Sequence, residues 1–312
     1  MAMQRRSNKK ITDNNGIEKK IKRGNAQRQA VWWKRPQGAL FFLCLLSILG
    51  CLAWLLLSME DGTVEILIRQ SEVVAERVFL VSCSEDYKNY KQYPDCTPQR
   101  CGRAVTDSVV NREESAKLKR LAERGLSLGG SDGGASILDL HSGALSMGKQ
   151  FVNIYRYFGE QIKQVFSEED FELYRTVRQK IQEAIAQTFS LDPSRLYLTK
   201  PTFFSRINST LAKTTHDEYW HPHIDKVTYG SFDYTSLLYL SDYGTDFGGG
   251  RFIFMDTMVN RTVEPRAGRV SFFTSGSENL HRVEKVSWGT RFAITVSFTC
   301  NPDYAISDPA LP

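Results

Sequence analysis

Three residues that could bind a metal ion lie close together in the sequence His221-Pro222-His223-Ile224-Asp225. In an extended strand, side chains two positions apart point to the same face, so residues 221, 223 and 225 would share one face. A His-x-Asp pair completed by a distant His forms a 2-His-1-carboxylate triad, which suits Fe(II) because it leaves coordination positions open for reaction. The stretch therefore predicts a metal site whose third ligand lies elsewhere in the chain.

The third ligand is predicted to be His281, which lies 56 residues after Asp225 on a predicted strand. Ten residues later, Arg291 opens a strand in which alternate residues face a polar pocket and the others face the core. A guanidinium inside a sheet requires a partner, and a carboxylate bound through two hydrogen bonds is the best one. An Fe(II) ion held by the triad would leave positions for a chelating 2-oxo acid and O2, with Arg291 binding the far carboxylate of that acid.

The order of these motifs resembles the Fe(II)/2-oxoglutarate-dependent dioxygenases: His-x-Asp, a Tyr-Leu-Ser-Asp strand, a Gly-Gly turn, a distal His and an Arg ten positions on. Within that family the chain is most similar to the prolyl 4-hydroxylase branch, which also includes lysyl hydroxylases. The resemblance implies that His223, Asp225 and His281 bind the iron. It also implies that Arg291 and Tyr239 bind the far carboxylate of 2-oxoglutarate.

This resemblance covers about residues 202–299 and departs from the collagen-modifying branch, which carries Lys where Arg291 stands. Residue 293 is Ala, where some relatives carry Ser, so no second hydroxyl contact is expected there. The implied cofactor is Fe(2+), the co-substrates are 2-oxoglutarate and O2, and L-ascorbate would restore oxidised iron. The implied reaction hydroxylates a protein side chain, Pro or Lys, and decarboxylates 2-oxoglutarate to succinate and CO2.

Two other interpretations of the motifs stay open at this point. A catalytically silent jelly-roll module would bind a peptide or glycan and would have lost the chemistry. A cupin-like metalloenzyme would use His221 together with His223, but such a site usually requires a Glu several residues later, whereas Asp225 follows at once. We therefore expect His221 to be a neighbour of the metal site and not a ligand.

The segment at residues 39–59 contains no charged side chain over 21 positions, which is enough helix to span a hydrocarbon core of about 30 Å. Residues 1–37 hold eleven Lys or Arg and two acids, and the positive-inside rule places such a tail in the cytosol. We predict a disordered cytosolic tail at 1–38, a transmembrane signal anchor at 39–59 and a single-pass type II topology. The rest of the chain would lie in the lumen of the endoplasmic reticulum or Golgi.

The overall net charge of +5 reflects that basic tail, because the tail alone carries +9 and the remainder of the chain −4. A nucleic-acid partner is therefore not indicated. The expected partners are a protein or peptide substrate in the lumen and membrane lipid around one helix. The sequence does not define an oligomeric state.

Cysteines and glycosylation acceptors agree with a lumenal location. Beyond the predicted anchor the cysteines are Cys83, Cys96, Cys101 and Cys300. In an oxidising lumen they allow two disulfides with three possible connectivities. Zinc binding by Cys96 and Cys101 is the less favoured interpretation, because their spacing is not that of a zinc knuckle. The triplets that begin at Asn208 and Asn260 are N-glycosylation acceptors.

Apolar periodicity predicts strong helices at 147–166 and 168–189, the second capped by Ser167 with Asp170. A further helix is predicted at 108–124, with the glycine at 125 as its end.

From residue 195 onward, short β-type runs separated by glycine turns predict a jelly roll. The expected fold class is α+β, a double-stranded β-helix (jelly roll) with supporting helices, preceded by a single transmembrane helix. We place a lumenal stem with the cysteine cluster at 60–134 and the oxygenase domain at 135–312, with its jelly-roll core at about 196–300.

Overall fold

The computed structural model describes residues 36–58, 64–87 and 93–311, which belong to two compact units, Met1–Asp61 and Gly62–Pro312. In the first unit the described residues form one helix, α1 (Pro36–Ser58). Over the part of the chain that the structure describes, no helix is both long and apolar enough to cross a membrane. The predicted span at 39–59 is thus not confirmed, and the tail predicted at 1–38 lies largely outside the described residues.

The described residues of the second unit form five α-helices and fifteen strands. The helices are α2 (Arg112–Ser127), α3 (Ile154–Phe158), α4 (Ile162–Val165), α5 (Glu168–Phe189) and α6 (Asp225–Tyr229). The strands are β1 (Val64–Ile68), β2 (Arg77–Val81), β3 (Cys101–Thr106), β4 (Gly130–Ser131), β5 (Ala135–Leu138), β6 (Ala144–Gly148), β7 (Gln150–Asn153), β8 (Tyr197–Asn208), β9 (Tyr234–Tyr239), β10 (Phe247–Gly249), β11 (Phe252–Met255), β12 (Asn260–Val263), β13 (Val270–Thr274), β14 (His281–Val283) and β15 (Val286–Thr299).

Two sheets contain these strands, and most of the strand pairs are antiparallel. The smaller sheet has the order β1-β12-β11-β14, and the larger has the order β2-β3-β13-β9-β15-β8-β5-β6-β4, with β10 also paired to β15 and β7 to β6. An apolar cluster draws on both sheets, with Phe252 and Val263 from the smaller one and Leu237 and Phe273 from the larger. Two sheets packed across a shared core form the predicted α+β, jelly-roll-like architecture.

Helices α2 and α5 support the larger sheet. Leu118 of α2 and Ile181 of α5 are fully buried in the same apolar cluster as Ile294 and Phe298 of β15. Burial of each such side chain contributes about 1.5–3 kcal/mol. The other face of β15 carries Arg291, so the predicted alternation along this strand is confirmed.

The start of α5 is also confirmed. Ser167 Oγ accepts a hydrogen bond from the Asp170 backbone N–H, and the Asp170 carboxylate accepts one from the Ser167 N–H, which is the predicted capping box. In contrast, the glycine predicted to end α2 lies inside that helix. Phe166 packs so close to Gly125 that a Cβ atom there would lie 2.8 Å from the ring, so the position selects glycine for packing and not for termination.

The helix predicted at 147–166 is wrong over its first half. Residues there form the hairpin of β6 and β7, and α-helix begins only at Ile154. Gly148 has a φ of +61°, which turns the chain between the two strands. Pairing of β6 with β5 and β7 then satisfies the backbone groups that a helix would otherwise have satisfied.

The region predicted as a stem contributes to both sheets. β1 pairs with β12 in the smaller sheet, and β3 pairs with β13 in the larger. The compact unit accordingly starts at Gly62, and residues 134 and 135 do not mark a boundary between compact units.

Disulfides join Cys83 to Cys101 and Cys96 to Cys300. The second links residues 204 positions apart and fastens the end of β15 to the segment before β3. Because Cys96 and Cys101 belong to different disulfides, the zinc interpretation of this pair is wrong. The pairing selects one of the three connectivities that the sequence left open.

Candidate active site

A cavity of about 190 Å³ holds the predicted metal ligands and Arg291 together. His223, Asp225, His281 and Arg291 all line it. The remaining lining is largely apolar and includes Ile137, Phe203, Ile207, Phe232, Phe252 and Val283. The structure therefore brings together the four predicted residues, which are up to 68 positions apart in the sequence.

The three predicted metal ligands converge on one point. One ligand atom from each of them lies within 4.8 Å of the other two. The Nε2 atoms of His223 and His281 lie 3.5 Å and 3.7 Å from the same oxygen, Oδ1 of Asp225. Two imidazoles and one carboxylate in this arrangement are a donor set that could hold Fe(II).

Local structure around the triad differs from the predicted strand. His223 forms an isolated β-bridge with His281, in which each backbone N–H donates to the other residue's carbonyl, at 2.9 Å and 3.1 Å. After Ile224 the chain turns, and Asp225 begins helix α6. The prediction that residues 221, 223 and 225 share one strand face is therefore wrong, although His223 and Asp225 still meet.

Both histidines are oriented through their second ring nitrogen. His223 Nδ1 lies 3.0 Å from the carbonyl oxygen of His221, and His281 Nδ1 lies 2.8 Å from that of Asn279. A carbonyl can only accept, so each Nδ1 carries the proton and each Nε2 presents a lone pair. This arrangement of a metal-binding imidazole and a backbone acceptor is common in metal sites.

One carboxylate oxygen of Asp225 accepts a hydrogen bond from the protein, and the other faces the two histidines. Thr235 Oγ1 donates to Asp225 Oδ2 at 2.6 Å and also contacts Ser275 Oγ at 2.8 Å. Burial acts to raise the pKa of Asp225, but the neighbouring His281 and the hydrogen bonds from His223 and Thr235 lower it overall. The Asp225 carboxylate is thus ionised, and its Oδ1 faces the two histidines.

The protonation of the two histidines differs. Burial lowers the pKa of His281 to about 4, so its ring is neutral at neutral pH. Burial opposes charge on His223 as well, but the hydrogen bond to Asp225 and the charge of that carboxylate raise the pKa of His223 overall. Neutral imidazole and ionised carboxylate are the forms that bind a metal ion.

Arg291 is buried without a full set of partners. Its Nε donates to the Gly250 carbonyl at 2.9 Å, whereas its Nη2 is buried and has no hydrogen-bond partner among the described residues. Burial lowers the pKa of Arg291. A buried guanidinium with an unused N–H is costly unless a ligand completes it, and the far carboxylate of 2-oxoglutarate fits this requirement.

Two tyrosines lie near Arg291, and only one lines the cavity. Tyr239, predicted to bind 2-oxoglutarate, is fully buried between the sheets, and its hydroxyl lies 3.0 Å from Ser271 Oγ. Its bond to 2-oxoglutarate stays a prediction. Tyr219 was not predicted from the sequence, yet it lines the cavity and accepts a hydrogen bond from the Val286 N–H at 2.8 Å. Its position four residues before His223 was the available signal.

His221 does not belong to the triad. Its side chain is 62% exposed and pairs with Glu218 at 2.7 Å, and only its backbone carbonyl contacts His223. The cupin-like interpretation, which required the His221 ring as a ligand, is therefore wrong. Asn208 and Asn260 are half-buried residues outside the cavity, and their glycosylation stays a prediction.

Comparison with known proteins agrees with this site. The family described as the 2OG-Fe(II) oxygenase superfamily matches residues 209–299. The chain is 60% identical over 324 residues to 2-oxoglutarate and iron-dependent oxygenase domain-containing protein 3 of Homo sapiens, with all of both chains covered. It is 45% identical over 75 residues to prolyl 3-hydroxylase 2 of Mus musculus, covering 23% of this chain and 10% of that one.

Among solved structures, a prolyl hydroxylase from Trichoplax adhaerens in complex with a hypoxia inducible factor peptide fragment is similar with a TM-score of 0.42 and 15% identity, covering 68% of this chain and 90% of that one. The intact triad and the unpartnered guanidinium argue against the catalytically silent module. The full-length likeness to the human protein and the superfamily match agree with the triad and with the role of Arg291. This chain therefore belongs to the 2-oxoglutarate and Fe(II)-dependent oxygenase superfamily and is a 2-oxoglutarate-dependent dioxygenase.

Proposed function

We propose that this dioxygenase hydroxylates an uncharged side chain of a protein or peptide substrate, with proline favoured over lysine, and decarboxylates 2-oxoglutarate to succinate and CO2. The observation that carries the proposal is the single cavity that joins the triad to the unpartnered guanidinium of Arg291. One oxygen atom of O2 enters the substrate C–H bond and the other enters succinate, so the reaction is balanced without a further reductant.

The residues of the cavity have separate roles in this proposal. His223, Asp225 and His281 would hold Fe(II), and Arg291 would bind the far carboxylate of 2-oxoglutarate. Bound Fe(II) supplies the redox centre at which 2-oxoglutarate and O2 react. Thr235 keeps the Asp225 carboxylate in one orientation, and the apolar walls exclude water from the reacting groups.

The charge of the cavity favours proline over lysine. Among the lining residues, Asp225 is the one carboxylate, and it faces the two histidines. A lysine ammonium would lose its hydration among the apolar walls without gaining a free carboxylate of the lining as its partner, which is costly. A proline ring carries no charge and suits apolar walls. The likeness to prolyl 3-hydroxylase 2 supports the same choice.

The substrate test uses the purified full chain with Fe(II), 2-oxoglutarate and two matched peptide sets that differ only in Pro or Lys at the central position. We expect the Pro set to gain the mass of one oxygen atom and to stimulate succinate release. The His223→Ala variant is the control and should do neither. Hydroxylation of the Lys set in preference to the Pro set would contradict the choice of substrate, and full activity of the His223→Ala variant would contradict the proposed site.

The setting proposed for this reaction is the lumen of the endoplasmic reticulum or Golgi, with the chain anchored in the membrane as a single-pass type II protein. Two disulfides support an oxidising compartment. The uncharged segment at 39–59 behind a basic tail and the acceptors at Asn208 and Asn260 support the topology. L-ascorbate as the reductant that restores oxidised iron belongs to the same proposal and is supported by the family resemblance.

Protease protection of intact microsomes tests the setting. A tag at the C-terminus should resist protease until detergent is added, and a tag at the N-terminus should be lost at once. Peptide-N-glycosidase treatment should also reduce the apparent mass of the chain. Digestion of the C-terminal tag without detergent would contradict the lumenal location.

A further inference from the structure

The carbonyl group that orients His281 belongs to a short turn held from outside the metal site. His281 Nδ1 donates to the Asn279 carbonyl at 2.8 Å, and Asn279 ends the 3-10 turn Ser277–Asn279. Both residues are buried. The direction in which His281 presents Nε2 therefore depends on where this turn places one carbonyl oxygen.

Arg103 of β3 fixes that turn. Its Nε donates to Asn279 Oδ1 at 2.6 Å, and its Nη2 donates to the Glu278 carbonyl at 3.2 Å. The side chain is only 2% exposed, and Asp256 accepts from both of its terminal nitrogens. The guanidinium also lies over the Phe254 ring, with Cζ 4.1 Å from the ring centroid. Arg103 is thus held on all sides and can act as a rigid donor.

Asn279 is held by its other side-chain atom as well. Its Nδ2 donates to the Thr274 carbonyl at 2.8 Å and lies 3.1 Å from Thr274 Oγ1. Thr274 ends β13, which pairs with β3, so the two side-chain groups of Asn279 are held by two neighbouring strands of the larger sheet. With both side-chain groups of Asn279 engaged, its backbone carbonyl has little freedom to move.

Among the residues that the structure describes, none holds the carbonyl that orients His223 in a comparable way. His223 donates to the carbonyl of His221 at 3.0 Å, and His221 is exposed, with its side chain paired to Glu218. The metal site thus combines one histidine on a fixed turn with one on an exposed segment. The turn that orients His281 depends on Arg103, which precedes the region matched by the family, residues 209–299.

We propose that Arg103 is a positioning residue for the metal site, acting through Asn279 on the orientation of His281. The region predicted as a stem would then support the active centre through β3. The inference rests on the metal role proposed above for His223, Asp225 and His281. Orienting partners of metal-binding histidines typically change metal affinity by about 10–100-fold, and Arg103 should have an effect of this size.

The test is Co(II) binding by the full chain under anaerobic conditions, measured by titration and by the visible absorption of the bound ion. Arg103→Met and Asn279→Ala should each weaken Co(II) binding by about tenfold or more and change the absorption of the bound ion. Because both changes break one connection, the double variant should lose little more than either alone. Asn279→Ala keeps the ion pair between Arg103 and Asp256, so it serves if Arg103→Met does not fold.

Arg269→Met is the matched control, because Arg269 is equally buried and pairs with Asp107, away from the triad. Its folded fraction should bind Co(II) as the parent does. Parent-like affinity and absorption in the folded Arg103→Met or Asn279→Ala variant, or an equal loss in Arg269→Met, would overturn the inference while leaving the proposed function intact. Failure of the parent itself to bind Co(II) would overturn the proposed metal role, and the inference with it.

Discussion

Arg269, just before β13, and Arg291, in β15, are both fully buried, and they differ in what surrounds them. Arg269 donates from Nε and Nη2 to both oxygens of Asp107, and its remaining N–H groups reach three backbone carbonyls. Arg291 donates from Nε to the Gly250 carbonyl, and its Nη2 has no partner among the described residues. The protein itself provides partners for the guanidinium of Arg269, whereas Nη2 of Arg291 requires a ligand as its partner.

The two arginines are equally buried, but their hydrogen-bond partners indicate that Arg269 stabilises the fold and that Arg291 binds a ligand. A buried charge left without a partner lowers the stability of the fold, so its presence in a cavity beside a metal-type triad indicates a function. The same reasoning applies to Asp225, whose Oδ2 is satisfied by Thr235 while Oδ1 faces the histidines.

Arg269→Met should give the largest effect on stability. Removing the guanidinium leaves the Asp107 carboxylate buried without its partner, and breaking such a pair costs about 3–5 kcal/mol. Denaturant unfolding should show this loss, while the affinity of the folded fraction for 2-oxoglutarate stays at the parent value. A stability loss below about 1 kcal/mol would show that Arg269 is not the structural member of the comparison.

Arg291→Met should give the opposite pattern. We expect 2-oxoglutarate binding to weaken by about 3 kcal/mol, roughly a hundredfold, because a buried carboxylate would lose its charged partner. Unfolding of the ligand-free protein should show unchanged or increased stability, since an unpaired buried charge is removed. The KM for 2-oxoglutarate and the unfolding midpoint measure the two effects. A loss of stability like that of Arg269→Met would remove the distinction between the two arginines.

Thr235→Val tests the hydrogen bond that Thr235 donates to Oδ2 of Asp225. Valine keeps the shape of threonine and removes the donor to Oδ2, so the carboxylate should lose its fixed orientation. We expect Fe(II) affinity to fall by about tenfold, which is the lower part of the range for such supporting groups. Thr235→Ser, which retains the hydroxyl, should recover most of that affinity in an anaerobic metal titration. Equal affinity in the Val variant and the parent would contradict this role.

The smallest expected effect is that of lowering the pH by one unit through the pKa of His223. The Asp225 carboxylate raises the pKa of His223 above its usual value near 6.5, despite burial. Protonated His223 cannot bind a metal, so Fe(II) affinity should fall as the pH drops through this raised pKa, approaching tenfold for each pH unit below it. The metal-free protein should respond in the opposite sense: the stability contributed by protonated His223 is present below about pH 6.5 and is lost as the pH rises through the raised pKa. Titrations of Fe(II) binding and of unfolding across this range check both signs.

The residue types and spacing in the sequence selected four residues that the structure places in one cavity. His223, Asp225, His281 and Arg291 could be selected because an iron and 2-oxoglutarate site requires these residue types around one pocket. The local structure at Asp225 could not be assigned, because nothing in the five-residue stretch distinguishes a strand from the start of helix α6. The supporting residues Thr235 and Arg103 were not predicted, since their importance comes from contacts formed only in the folded chain.

The fold was predicted unevenly for similar reasons. Helix α5 has an apolar stripe and a capping box, which are local signals, and it was found with its start at the right residue. The hairpin of β6 and β7 depends on pairing with β5 and was mistaken for helix. The contribution of β1 and β3 to the sheets was missed because their partners, β12 and β13, lie more than 160 residues away.

We infer that the triad and Arg291 form one Fe(II) and 2-oxoglutarate site. Its most direct test is calorimetric titration of 2-oxoglutarate into the anaerobic full chain, with and without Fe(II), for the parent and for His281→Ala. Chelation predicts tight binding by the parent only when Fe(II) is present, and weak binding by His281→Ala under both conditions. Equal binding by the parent with and without Fe(II), or parent-like binding by His281→Ala, would contradict the account.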